Sequence, residues 1–119
     1  MEDLKRQQKE ALEVLIDFNS RVVKNLGILE KELTGQRLDD TDKFIKGIVD
    51  AINWEVQVMN GTMDLLNEGR ERINKAEYNE KLTEFSSSIA SKNDAKMAES
   101  VRALIPLFEN LGSAAKEVI

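Results

Sequence analysis

The strongest constraint on this chain is the helical spacing of its apolar residues. In the first 33 residues, apolar side chains fall in one arc when successive residues are set 100° apart, and charged side chains fill the opposite side. The pattern predicts an amphipathic helix over about 3–33, near 45 Å long at 1.5 Å per residue. The arc consists of Leu4, Ala11, Leu12, Leu15, Ile16, Phe18, Val22, Val23, Leu26, Leu29 and Leu33.

A second helix is predicted over about 41–68, after the break "TGQRLDDTD". Gly35 is expected to end the first helix in a left-handed conformation, since glycine takes that conformation without a steric cost. Asp39, Asp40 or Thr41 is expected to cap the helix that follows, because short oxygen-bearing side chains accept hydrogen bonds from free helical amides.

Two shorter helices are predicted over about 75–91 and 94–118. Asn74, followed three residues later by Glu77, resembles a capping box at the start of the third helix. Asp94 is the expected cap of the fourth. Pro106 lies inside the fourth pattern and removes the hydrogen bond to the Arg102 carbonyl, so a kink is expected there.

These segments predict an all-α protein, most simply an antiparallel four-helix bundle that forms a single domain over 1–119. The chain has only 1 Pro and 6 Gly, which leaves long stretches free for helix. Short polar turns favour an up-down-up-down order. A long helical hairpin that completes its bundle with a second copy of the chain is the alternative, and periodicity does not separate the two.

The residue inventory argues against catalysis. The chain has no histidine and no cysteine, so it lacks the commonest general base, the commonest metal ligand and every Ser-His or Cys-His pair. We therefore expect no enzyme activity, no catalytic residue, no metal site, no cofactor and no small-molecule substrate. Glu55 is the one acid flanked by apolar residues on both sides of the predicted interface. A buried titrating carboxyl, as a carboxylate-only enzyme would need, is the remote alternative; an interface salt bridge or a position at the solvent edge is expected.

The charge pattern narrows the choice of partner. The formal net charge is -5, with acids and bases interspersed, so no basic stripe is present to bind phosphates and nucleic acid is not expected. No segment approaches the ~18 consecutive apolar residues of a membrane span, and the charged start "MEDLKRQQKE" differs from a signal peptide. The sequence thus predicts a cytoplasmic protein that does not bind a membrane.

The second helix carries two apolar faces. Its core stripe, centred on Ile45, Ile52 and Met59, lies about 180° from the only tryptophan, Trp54. Around Trp54 the small and apolar residues are spaced by 4, 3, 4, 3 and 4, as in a coiled-coil seam. We call this face the Trp54 seam; it consists of Gly47, Ala51, Trp54, Val58, Gly61 and Leu65.

Three interpretations of the Trp54 seam are open. One very wide apolar arc can contact two neighbouring helices of the same bundle. The seam can instead bind a second molecule, either a partner's helix or another copy of the chain in a homodimer, with Trp54 as its aromatic anchor. A ligand pocket beneath Trp54 is the third. Our prediction is that the six seam residues bind a protein partner.

In architecture the chain is similar to the small helical chaperones of bacterial flagellar and type III export. The similarity lies in the long segments "KEALEVLIDFNSRVVKNLGILEKEL" and "DKFIKGIVDAINWEVQVMNGTMDLL". It implies an adaptor or chaperone-like protein that binds other proteins without catalysis. The resemblance carries no diagnostic motif, so no residue role is transferred from that family.

Overall fold

The structure is a computed structural model that describes residues 2–35 and 37–119. The all-α class is confirmed, since these residues form five α-helices and no strand. The count differs from the predicted four because the second helix is interrupted. The helices are α1 (Glu2–Thr34), α2 (Thr41–Gly61), α3 (Met63–Leu66), α4 (Lys75–Ala90) and α5 (Asp94–Val118).

The interruption between α2 and α3 occurs at Thr62. Its hydroxyl donates to the Val58 carbonyl oxygen at 2.7 Å, and its amide donates to the Met59 carbonyl oxygen at 3.1 Å. The amide hydrogen bond spans three residues in place of the four of an α-helix, so the backbone makes a tighter turn at Thr62. The helix resumes as the single turn of α3, and Gly69 then takes a left-handed φ of 82°.

The sequence predicts the cap of α4 correctly and the cap of α5 incorrectly. Asn74 accepts a hydrogen bond from the Glu77 amide at 3.3 Å, which confirms the predicted cap of α4. The prediction for α5 is wrong by one residue, because Asn93 accepts from the Lys96 amide at 3.1 Å. Asp94 instead accepts a hydrogen bond from Arg37 at 2.8 Å, an ion pair between distant parts of the chain that no local pattern signals.

The turn after α1 also departs from expectation. Gly35 does not take a positive φ; its amide donates to the Lys31 carbonyl oxygen, and a Cβ added there would lie 2.9 Å from that oxygen. Close approach of the backbone, rather than left-handed geometry, therefore favours glycine. At the start of α2, Asp40 is the cap residue but makes no side-chain cap hydrogen bond. The predicted turn includes residue 36, which lies outside the described residues.

Helix α1 packs along both α2 and α5, and α4 packs along α5. The pairs are antiparallel: Lys5 near the start of α1 bridges to Glu68 beyond α3 at 3.1 Å, and Glu30 near its end bonds to Arg102 of α5 at 2.7 Å. The length of α1 accounts for the 49 Å long axis of a molecule only 23 and 19 Å across. Within the described ranges, none of the helices combines the length and apolar character needed to cross a membrane.

Helix α5 continues through Pro106 without interruption. Pro106 is exposed, whereas its neighbours Leu104, Leu107 and Phe108 are buried. Proline removes the amide hydrogen that would bond to the Arg102 carbonyl, so it is best accommodated on the solvent side. The kink at this position stays a prediction.

Asn19 joins α1 to α5 inside the core. Its side-chain amide donates to the Phe108 carbonyl oxygen at 3.0 Å, and the side chain is only 5% exposed. A Cβ added to Gly112 would lie 2.5 Å from the Asn19 Oδ1 atom. Gly112 is therefore required so that the two helices can approach around Asn19.

We expect Gly112→Ala to lower the free energy of unfolding by about 1–3 kcal/mol, because Asn19 must move and weaken its bond to Phe108. Gly27 is the matched control: it is helical, and a Cβ there meets no atom within 4 Å. Gly27→Ala should be neutral or stabilising by up to about 1 kcal/mol. Denaturant unfolding of the two variants checks this; equal stabilities would contradict the packing described.

Candidate functional site

The structure places the Trp54 seam along α1. The Trp54 and Phe18 rings pack edge to face, with centroids 4.9 Å apart and planes inclined at 66°. Near the other end of the seam, the Gln8 side chain donates to the Gly61 carbonyl oxygen at 3.2 Å. The chain's own first helix therefore covers the inner edge of the seam.

The six seam residues differ in how far they are covered. Leu65 is 3% exposed and belongs to the core, and Ala51 and Val58 are half-buried. Gly47 and Gly61 are exposed, and Trp54 is 37% exposed. The outer edge of the seam thus remains open, with the partly exposed Trp54 side chain at its centre.

We call this open edge, together with the facing side of α1, the α1/α2 furrow. Two adjoining hollows of about 490 and 250 Å³ meet in it. The residues that line both hollows are Asn25, Phe44 and Gly47. Ile28 and Leu38 line the larger hollow and are 39% and 55% exposed. The two hollows therefore meet at Asn25, Phe44 and Gly47, beside the exposed apolar side chains of Ile28 and Leu38.

Gly47 is not required for packing among the described residues. It lies inside α2 without a positive φ, and a Cβ added to it would meet none of their atoms within 4 Å. A Cβ added to Gly61, at the carboxyl end of the helix, would also meet none of them. A glycine in a helix interior costs about 1 kcal/mol relative to alanine. In the described parts of the chain, neither a turn nor helix packing explains why Gly47 is present.

The charges beside the furrow are mixed. Glu32, Asp40 and Lys43 line the larger hollow, and Glu32 accepts a hydrogen bond from the Thr41 hydroxyl at 2.8 Å. Opposite charges that lie side by side produce little net field. The furrow is therefore characterised by its apolar shape rather than by its charge.

Sequence reasoning missed the residues that α1 and the connecting segment contribute to the furrow. Ile28 lies off the core arc of α1, and single exposed apolar residues of that kind are normal on any protein. Leu38 lies in the polar break before α2. A signal was nevertheless present, because Phe18, Asn25 and Ile28 are seven and three residues apart, the spacing of one helical edge.

Glu55 lies on the core side of α2, and the expectation of a salt bridge or a solvent edge is wrong. Its residue exposure is 0%, and among the described residues neither carboxylate oxygen has a hydrogen-bond partner that meets normal geometry. Burial raises the pKa of Glu55 to about 7, and the nearby Asn19 amide opposes that rise. A carboxyl with no exposed atom cannot reach a substrate in this conformation.

We expect Glu55 to make stability depend on pH. Folding raises the pKa of Glu55 from 4.5 to about 7, so the folded chain holds this proton more tightly than the unfolded chain does. The stabilisation is complete below pH 4.5 and is lost as the pH rises to about 7, by at most about 3 kcal/mol. Denaturant unfolding between pH 4.5 and 8 measures this slope.

Glu55→Gln should flatten the slope, because an amide does not titrate, whereas Glu13→Gln on the exposed face of α1 should leave it unchanged. Two other carboxyls stabilise the fold in their charged form, so they lower the free energy of unfolding when the pH falls rather than when it rises. Hydrogen bonds from Arg37 and Arg70 hold the pKa of Asp94 and of Glu117, respectively, below their ordinary values, so their stabilisation is lost only as the pH falls. An undiminished slope in Glu55→Gln would contradict the assignment.

Comparison with known proteins adds a family but no activity. No curated protein and no solved structure matches the chain. A family described as a domain of unknown function, DUF8042, matches residues 10–114. The match includes Phe18, Gly47, Trp54 and Gly61 of the α1/α2 furrow, and the Asn19–Gly112 contact. Since it extends over most of the 119 residues, the chain belongs to the DUF8042 family.

Proposed function

We propose that this protein is a non-enzymatic, protein-binding domain of the adaptor or export-chaperone kind. In this proposal its four long helices act as an antiparallel four-helix bundle in the cytoplasm. The partner contributes an apolar helix, which lies in the α1/α2 furrow over Trp54 and inserts a large side chain at Gly47. The seam residues of α2 that are exposed or half-buried bind it on one side, and Phe18 and Ile28 bind it from α1. Leu65 supports the seam from the core.

The observation that carries the proposal is Gly47. A glycine that destabilises its helix and is not required by packing among the described residues is explained if a partner occupies the space beside it. The hollow at Gly47 has the concave shape that receives an anchor residue of a docked helix. Two exposed apolar side chains, Ile28 and Leu38, border the same hollow.

Trp54 supports the same surface. A tryptophan that is partly packed against Phe18 and partly exposed is held in place before binding, so little conformational entropy is lost when a partner covers it. Aromatic residues of this kind contribute most of the energy in many interfaces. The sequence contains no histidine, and Glu55 is fully buried. Both facts favour a binding function over catalysis.

A structural homodimer through the same furrow is the second candidate, and one feature favours it. Gly47 and Gly61 lie seven residues before and seven residues after Trp54. If two α2 helices crossed antiparallel over their tryptophans, Gly47 of each copy would face Gly61 of the other. A two-fold interface requires this kind of self-complementarity.

Filling the hollow should abolish binding without harming the fold. We expect Gly47→Gln to keep or raise the free energy of unfolding by up to about 1 kcal/mol, since glutamine is the better helix former and nothing obstructs its Cβ. The same variant should lose the partners that copurify with the tagged wild-type chain. Gly27→Gln is the matched control, because Gly27 has equal space on another face of α1. Equal recovery of partners by both variants would refute the furrow as the binding surface.

Trp54 emission distinguishes the two candidates. For a monomeric adaptor we expect red emission from the partly exposed indole at every concentration, shifting to the blue only when a partner is added. A homodimer predicts blue emission that turns red on dilution, together with a melting temperature that rises with concentration. Sedimentation velocity on the same samples gives the mass. Blue emission from a monomer at every dilution would contradict both candidates.

A further inference from the structure

A second concave surface lies on the other side of α2. It is a groove of about 680 Å³ between the first turns of α2 and the junction of α4 with α5. Its apolar lining consists of Ile45, Val49, Ile89 and Met97. Ile45 and Met97 are buried and form the floor, whereas Val49 and Ile89 are half-buried. The volume lies in the range typical of small-molecule sites.

The groove exists because α2 and α4 do not pack closely against each other. Each helix packs along a different neighbour, α2 along α1 and α4 along α5. Their apolar edges, represented by Val49 and Ile89, therefore line a space that no side chain of the described residues fills. An apolar group of a ligand would gain free energy by covering these edges.

The charges at the groove favour an anion. Arg37 is already engaged: it donates to Asp42 at 2.8 Å and to Asp94 at 2.8 and 3.2 Å. Both acids are thereby neutralised in part. Lys46 and Lys92 also line the groove, and neither has a carboxylate within 4.0 Å in the described parts of the chain. Two lysines without a partner therefore flank the apolar floor.

Lys92 also has an unusual backbone. It has a φ of 54°, the left-handed conformation that glycine or asparagine normally supplies at the end of a helix. Its amide donates to the Ile89 carbonyl oxygen at 3.1 Å, and the next amide donates to the Ser88 carbonyl oxygen at 3.4 Å, which is the Schellman pattern. Glycine would fit this position with less strain, so the lysine side chain calls for a separate explanation.

We propose that the groove binds a single molecule of an aliphatic carboxylate of medium chain length. Its hydrocarbon chain lies on Ile45, Val49, Ile89 and Met97, and its carboxylate pairs with Lys46 and Lys92. The site is independent of the α1/α2 furrow, because it uses the opposite edge of α2.

Titration with decanoate, below its micellar concentration, tests the proposal on the full chain. We expect saturable binding that shifts the methyl NMR signal of Met97 and leaves the indole signal of Trp54 in place. Decanol, which has the same chain without the charge, should bind several-fold more weakly. Vesicles of anionic phospholipid should not bind, which distinguishes a free acid from a membrane surface.

Lys92→Gly separates the role of this side chain from folding. Glycine relieves the left-handed strain, so the variant should melt at a higher temperature and yet bind decanoate about threefold more weakly. With Lys46→Gln added, the loss should reach about tenfold. Lys75→Gln at the start of α4 is the control and should bind as the wild type does. Undiminished binding by the double variant, no saturable binding, or a shift of Trp54 in place of Met97 would overturn the proposal.

Discussion

The rest of the structure depends on the burial of α1 against two helices at once. Leu12, Leu15, Leu26 and Leu29 are all fully buried, and apolar area removed from water on this scale is the main favourable term in folding. Asn19 holds α1 and α5 in register through its bond to Phe108. Since α2 and α4 each pack on a different member of this pair, the positions of both follow from it.

That arrangement explains why both proposed binding surfaces, the α1/α2 furrow and the groove, lie along α2. One edge of α2 packs beside α1 and leaves the furrow with Gly47 and Trp54 open. The other edge faces α4 without touching it closely and leaves the groove with Val49 and Lys46. Between the two edges, Glu55 is enclosed in the core, and none of the described residues pairs with its charge, so its protonation stabilises the packing of the helix that both surfaces share.

Helix periodicity is a local property, so the sequence predicted most helix bounds well, whereas of the predicted caps only Asn74 accepts the expected hydrogen bond. The start of α4 at Lys75 and the bounds of α5 agree with the structure. Errors arose where a distant contact or a local change in the backbone decided the outcome. Asp94 pairs with Arg37 instead of capping α5, and a tight turn at Thr62, whose amide bonds to the Met59 carbonyl oxygen, separates α2 from α3.

The sequence by itself determined the all-α class, the main core faces and the presence of a second apolar face around Trp54, because each depends on spacing along one helix. Only the tertiary structure decided that α1 covers the inner edge of that face, that Ile28 and Leu38 complete its outer edge, and that Glu55 is buried. The physical reason is that a helical wheel gives the direction of a side chain but not the neighbouring helix it meets. That neighbour follows from the packing of α1, α2 and α5 together.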